Sequence, residues 1–228
     1  MQTDWIIISL GGSIIVPDKI DTEFLKAFKD LIASYVAQGK SFVITTGGGR
    51  TCRIYQEALT EIVPASDDDL DWIGIASLRL NAMFVNKLFG ELAHPEIINT
   101  GPDGFVNIEK PVVTVGAVKP GSSTDLGAIK FALKTGAKQV INLSNIDYAY
   151  DSDPKLNPNA KKLENVSWAE YRSYIPSEWK PGLSTPFDPI ASQAAEENGI
   201  EVAIMNGKNI ENLKNYLDGK PFIGTTIK

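Results

Sequence analysis

The sequence predicts an α/β protein, a three-layer α/β/α sandwich built on a mainly parallel central sheet. Three observations carry that expectation. Short continuous apolar runs rich in Val and Ile recur along the chain, each runs into a loop of small residues, and helical apolar spacing follows. Uninterrupted apolar runs are strands buried on both faces. Strands that alternate with helices form a parallel sheet covered on both sides.

The first strand is Trp5–Leu10 (WIIISL), which runs into Gly11, Gly12 and Ser13. A helix is expected over 21–38, because Phe24, Leu25, Phe28, Leu31, Ile32, Tyr35 and Val36 fall on helical spacing. Asp21 or Thr22 can cap it and Gly39 closes it. The second strand, 42–46 (FVITT), precedes Gly47, Gly48, Gly49 and Arg50. The acidic run 66–71 (SDDDLD) reads as a solvated turn. A third strand over 112–118 (VVTVGAV) leads to a helix over 124–134, with Ser123 or Thr124 as its cap. Gln139–Ser144 (QVINLS) is the fourth strand, followed by Asn145 and Asp147. The polar stretch 151–174 is expected to form a hairpin or excursion over the site. Asp188-Pro189 opens a helix over 188–198, a capping side chain followed by proline at the first helical position. Glu201–Asn206 (EVAIMN) and a helix over 209–217 complete the pattern. In such sheets ligands sit beyond the carboxyl ends of the strands, where the glycine-rich loops fall.

Composition removes several function classes. The net charge is −6 with no concentrated basic face, which argues against nucleic acid. Cys52 is the only cysteine, so no intrachain disulfide forms and a reducing, cytoplasmic location is expected. The first apolar run falls far short of the roughly 20 residues that span a bilayer, and no basic segment precedes it, so no membrane partner is expected. One histidine, His94, and one cysteine leave little for a zinc centre or a Ser-His-Asp triad; His94 reads as a surface residue. The triplet Gly39-Lys40-Ser41 has Ser34 where a P-loop needs glycine, and it precedes a strand. The run from Gly47 to Cys52 fails the last position of a dinucleotide-binding fingerprint.

Phosphoryl transfer suits the residues that remain, since positioning and charge neutralisation do most of its work. Gly11 and Gly12, and then Gly47 to Gly49, allow a close backbone approach with amides aimed at phosphate oxygens; plain turns are the alternative. Arg50 and Arg53 sit at the start of a helix, where the macrodipole disfavours cations. An anion between the amides and a guanidinium removes that conflict, and Arg53 is the candidate for it. Asp125 either complements a helix dipole or orients groups in a transfer site, and its position alone supports both.

In order along nearly the whole chain, SLGGS (9–13), TGGGRTCR (46–53), DWIGIASLRLNAM (71–83), KPGSSTD (119–125), SNIDYAYDSDPK (144–155), FDPIASQAA (187–195) and GTTI (224–227) stand at matching spacing. This series resembles the amino acid kinase superfamily, and within it the UMP (uridylate) kinases of archaeal type. The resemblance implies transfer from ATP to UMP in line, with no covalent enzyme intermediate. It implies an acceptor-binding lobe over 1–142 and an ATP-binding lobe over 143–228. Ser9, Gly11, Gly12, Lys119 and Asp125 would form the transfer site, with Gly11 and Gly12 on the phosphates and Asp125 as organiser. Gly48, Gly49 and Arg53 would hold the UMP phosphate, Asp71 the ribose hydroxyls, and Ser122, Ser123 and Thr124 the uracil. Ser13, Ser144, Asn145, Tyr150, Asp153 and Pro154 would bind ATP. Magnesium would be held mainly through nucleotide phosphates, without a protein ligand cluster, and the chain would form a homo-oligomer, a hexamer by resemblance.

Two departures stand out. Many members carry a lysine where this chain has Ser9, so Lys119 or Lys180 would have to supply the cation. Tyr148 replaces a glycine beside the nucleotide pocket. Members that phosphorylate isopentenyl phosphate carry a histidine after the triple glycine, and this chain has none there. The alternatives are another small phosphate or carboxylate acceptor, and a nucleotide-binding regulator without catalysis.

Overall fold

The computed structural model describes residues 4–121, 123–178 and 185–228, so the expectations for Ser122 and Lys180 lie outside the described residues. In chain order the elements are β1 (Trp5–Leu10), α1 (Gly12–Ile15), α2 (Thr22–Val36), β2 (Ser41–Thr46), α3 (Gly49–Ile62), α4 (Asp67–Phe89), β3 (Val112–Val115), α5 (Thr124–Thr135), β4 (Gln139–Ser144), β5 (Ala149–Tyr150), β6 (Lys162–Leu163), β7 (Asn165–Val166), α6 (Trp168–Tyr174), α7 (Pro189–Glu197), β8 (Glu201–Asn206), α8 (Ile210–Leu217) and β9 (Thr225–Ile227).

Seven strands form one sheet in the order β3-β2-β1-β4-β8-β9-β7. The first five are mutually parallel, and β9 runs antiparallel to β8. Strands β2 and β3 lie on one side of β1 and β4 and β8 on the other, so the winding reverses between β1 and β4. That boundary opens a crevice at the carboxyl edge.

Alternate residues of each strand feed two cores, as a sheet buried on both faces requires. Ile8, Leu10 and Ile44 pack on one face under Phe28 and Ile32 of α2, Phe89 of α4 and Leu213 of α8. Ile7, Val43 and Val140 pack on the other under Phe131 of α5, Trp168 of α6 and Ala191 of α7. The capping residues act as expected. Asp21 accepts from Phe24 N, Ser123 from Leu126 N, Asp188 from Ile190 N and Ala191 N, and Asn209 from Asn212 N. Among the described residues no helix is long and apolar enough to cross a membrane.

Two expectations need correction. The acidic run is not a free turn: Ser66 and Asp69 form a capping box, and Asp67, Asp68 and Asp69 occupy the first turn of α4. Carboxylates there face the positive end of the helix dipole, which local charge counting overlooks. The third strand ends at Val115 rather than 118. At the next residue, Gly116, a Cβ would lie 2.1 Å from Asn99 Oδ1, so the chain leaves the ladder at a close approach. The polar stretch from 151 does contribute a hairpin, β6 pairing antiparallel with β5.

Strand β3 closes one side of the sheet. The chain before it runs alongside, with bridges from Ala93 to Val112 and from Ile98 to Val115. His94 N donates to Val112 O, Ile98 N to Thr114 O, and Gly116 N to Ile98 O.

The loops after β1 and β2 touch backbone to backbone. A Cβ on Gly12 would stand 2.1 Å from Gly49 N, and one on Gly49 would stand 2.3 Å from Gly12 O. Gly49 also has φ +65°, a conformation that side chains disfavour. The glycines therefore have a packing reason of their own. Gly12→Ala is expected to cost about 2–3 kcal/mol, as overpacked sites do. Gly39→Ala, at φ +86° in open space, should cost only about 1 kcal/mol. Urea denaturation midpoints compare the two, and equal losses would show that the loop contact is soft.

Candidate active site at the carboxyl edge

The parallel register sets Ser9 of β1 opposite Thr45 of β2 and Asn142 of β4. All three side chains are buried and polar in otherwise apolar strands. They lie under the N-terminus of α5, which is aimed at the crevice. Ser9 Oγ donates to Asp125 Oδ1 at 3.0 Å, and Asn142 Nδ2 donates to the same oxygen at 3.0 Å. Asp125 Oδ2 accepts only a long contact from Asp188 N, at 3.4 Å. Asp188 is itself saturated: its Oδ1 caps α7 at 2.8 and 2.9 Å, and its Oδ2 accepts from Ser123 Oγ. Ser123 in turn accepts from Leu126 N at 3.0 Å. One carboxylate therefore ties the start of α5 to the start of α7.

Burial pushes the Asp125 carboxyl up to about 7, reinforced by the negative charge of Asp188 and opposed by the Ser9 and Asp188 hydrogen bonds. Asn142 and Asp188 were missed as site residues. An Asn inside an apolar strand was a readable signal, whereas Asp188 reads as a cap and performs that role as well.

On the β2–β3 side, a cavity of about 230 Å³ lies between the strand ends, α5 and residues 100–102. Thr45, Thr124, Lys119, Lys130 and Ala117–Val118 contribute to its wall. Thr45 Oγ1 is buried there without a partner. Two α4 side chains fix the rim. Asp71 Oδ2 accepts from Gly121 N at 2.9 Å, and Arg79 donates to Ala117 O at 2.8 and 3.1 Å and to Val118 O at 3.2 Å. Arg79 was also missed; its sequence position resembles that of any charged residue on a long helix. Asn81 Nδ2 holds Gly47 O at 2.7 Å and Gly48 O at 3.2 Å. Arg53 is exposed one turn into α3.

Across the crevice, Gly11 N donates to Leu143 O at 2.9 Å, joining the β1 loop to β4. Ser13 lies in α1, while Ser144 ends β4 and leads to the exposed Asn145. Asp147 Oδ1 accepts from Asn206 Nδ2 at 3.0 Å. The Lys162 ammonium stands 4.8 Å from the centre of the Tyr148 ring. Tyr150 is in β5, and exposed Asp153 and Pro154 follow, with Asp153 Oδ1 accepting from Lys155 N at 2.9 Å. Lys119 is exposed at the cavity, and neither it nor any other cation bonds Ser9 or Asp125 among the described residues.

The raised Asp125 pKa has a signed consequence. The native state holds a proton that the unfolded chain releases near the ordinary 3.8. The stability this confers is complete below about 4 and lost as pH rises through about 7. Asp125→Asn should therefore gain stability relative to the parent from pH 4 to 7, with a constant difference above that. Urea melts across the range test it; a difference independent of pH would contradict the shift.

Known proteins are similar to this chain over nearly its whole length. The uridylate kinase of Pyrococcus abyssi (strain GE5 / Orsay) is 32% identical over 98% of this chain and 99% of its own length. That of Thermoplasma volcanium is 33% identical over 98% and 97%. The crystal structure of uridylate kinase from Archaeoglobus fulgidus superposes with a TM-score of 0.82 at 29% identity, over 98% of this chain and 99% of that one. The model of the amino acid kinase family matches residues 4–206, spanning β1 through β8 and every residue of the site, and the chain belongs to the amino acid kinase family.

Proposed function

We propose that the protein transfers the γ-phosphoryl group of ATP to UMP, giving ADP and UDP. One observation carries the reading: a half-buried acid and two touching glycine loops meet beside the point where the winding of the sheet reverses, and a cavity of nucleobase size adjoins them on the β2–β3 side. The near full-length uridylate kinase relatives support the choice of acceptor. In this reading the cavity takes the uracil beside Ser123 and Thr124, Asp71 meets the ribose, and Gly48, Gly49 and Arg53 hold the phosphate. Residues 1–142 form the acceptor lobe and 143–228 the ATP lobe, with Ser13, Ser144, Asn145, Tyr150, Asp153 and Pro154 around ATP.

Asp125 organises the transfer zone between Gly11, Gly12 and Lys119, and Ser9 orients it through its hydroxyl. Transfer is direct and in line, with glycine amides and basic side chains on the oxygens of the moving group. The residues fit a magnesium ion held mainly through phosphates. No three His, Cys, Asp or Glu side chains converge among the described residues, while Asp125 Oδ2 keeps a lone pair free for an oxygen-seeking cation. Bound there, the ion would neutralise charge on the nucleotide phosphates.

The reading places the enzyme in the cytoplasm as a homo-oligomer. Helix α3 fully buries none of its side chains and exposes Ile54, Tyr55 and Ile62, and α4, which packs against it, exposes Trp72 and Met83, apolar surface suited to a second copy. A second reading, a nucleotide-binding regulator, is favoured by the uncharged Ser9 hydroxyl engaged with Asp125.

Coupled ADP release with ATP, magnesium and UMP, CMP, acetylglutamate or no acceptor should give UMP-dependent turnover. Asp125→Asn should lower kcat by about 10²-fold or more. Folded protein that binds ATP and UMP in calorimetry yet forms no ADP selects the regulator. Light scattering should give a mass above the 24.8 kDa monomer, and Tyr55→Glu with Ile62→Lys should reduce it.

A further inference from the structure

We propose that Tyr148 is a stacking surface for the base of the phosphoryl donor. The inference rests on the reading that residues 143–228 bind ATP, and it follows from how the β5–β6 hairpin is built. Ala149 pairs with Leu163, and Tyr150 with Lys162. Residues directly opposite in an antiparallel pair share a face, and neighbours along a strand alternate. One face is committed to the core. Ala149 is fully buried, Leu163 packs against the same apolar cluster, and Ala149 N donates to Thr225 Oγ1 at 2.9 Å. Tyr150 and Lys162 therefore take the opposite face, and the contact of Lys162 with Tyr148 sets that second ring beside them. Neither tyrosine is buried. Two aromatic rings on the outer side of so short a hairpin add little to the core, and a planar ligand would remove their apolar area from water.

The Tyr148 ring is held in place. The Lys162 ammonium stands over it, 4.8 Å from its centre, and is itself paired with Glu164. The cation takes one face of the ring, and because the side chain is only half-buried, ring surface remains for a planar ligand. The hairpin also stands at the right edge of the sheet. It follows the carboxyl end of β4, and Asp147 Oδ1 accepts from Asn206 Nδ2 at the carboxyl end of β8, at 3.0 Å. Ligands of such folds sit beyond that edge. The base is the planar part of the donor. Stacking it on an aromatic ring is worth about tenfold or more in affinity, and a ring already clamped has less freedom to lose on binding.

Calorimetry of ATP and UMP binding to the parent, Tyr148→Phe and Tyr148→Leu tests this, with circular dichroism as the folding check. Tyr148→Leu keeps apolar bulk without a ring, and it should weaken ATP about tenfold while leaving UMP unchanged. Tyr148→Phe keeps the ring and should bind ATP within about twofold of the parent. If Tyr148→Leu does not fold, Tyr148→Ala makes the same comparison. Equal ATP affinity in the parent and every variant would overturn the assignment. A Tyr148→Phe variant as weak as Tyr148→Leu would also overturn it, by showing that the hydroxyl makes the contact. A joint loss of ATP and UMP would do the same and leave Tyr148 a support of the fold. Parent protein that binds no ATP would overturn the donor reading, and the inference with it.

Discussion

The approach of Gly12 to Gly49 is the constraint on which the rest of the site depends. The β1 and β2 loops meet with backbone against backbone, at distances that leave no room for a methyl group. This contact fixes where α3 begins, and α3 carries Arg53. Asn81 on α4 holds the second loop from the other side. The Gly11 amide, through Leu143, ties the first loop to β4. Three strands of the sheet are thus joined at their carboxyl ends by contacts that involve almost no side chains.

Above that layer, a polar network joins two helix starts to two strands. Asp188 caps α7 and receives the Ser123 hydroxyl, while Ser123 caps α5. Ser9 and Asn142, on neighbouring strands, both donate to one oxygen of Asp125 and aim its carboxylate. Burial raises the affinity of Asp125 for a proton, and the Ser9 hydroxyl and Asp188 amide moderate the effect without cancelling it. The group is therefore poised near neutrality by competing local forces.

Much of this was legible in the sequence because the signals were local. Val- and Ile-rich runs gave the parallel strands, and Asp21, Ser123, Asp188 and Asn209 gave the helix starts, since a cap acts within three residues of itself. What stayed hidden depends on neighbours distant in sequence. Ser9 and Asn142 face one carboxylate only because β1 lies beside β4 in a particular register. Arg79 looks like a solvated helix residue until residues 117 and 118 fold back against it. The acidic run at the start of α4 misled for a related reason, because its role comes from the helix it precedes rather than from its own charge.

The bridges along β3 bear on how the protein behaves at high concentration. Val112–Val115 is a fully buried apolar strand at a sheet edge, the type of segment that recruits other chains into cross-β assemblies. Here its outward carbonyls at Val112 and Thr114 are already occupied by His94 N and Ile98 N. Pro95, between those donors, cannot extend the ladder to a newcomer. The fold thus removes its own most adhesive edge from intermolecular pairing, with a short irregular segment serving as the gatekeeper.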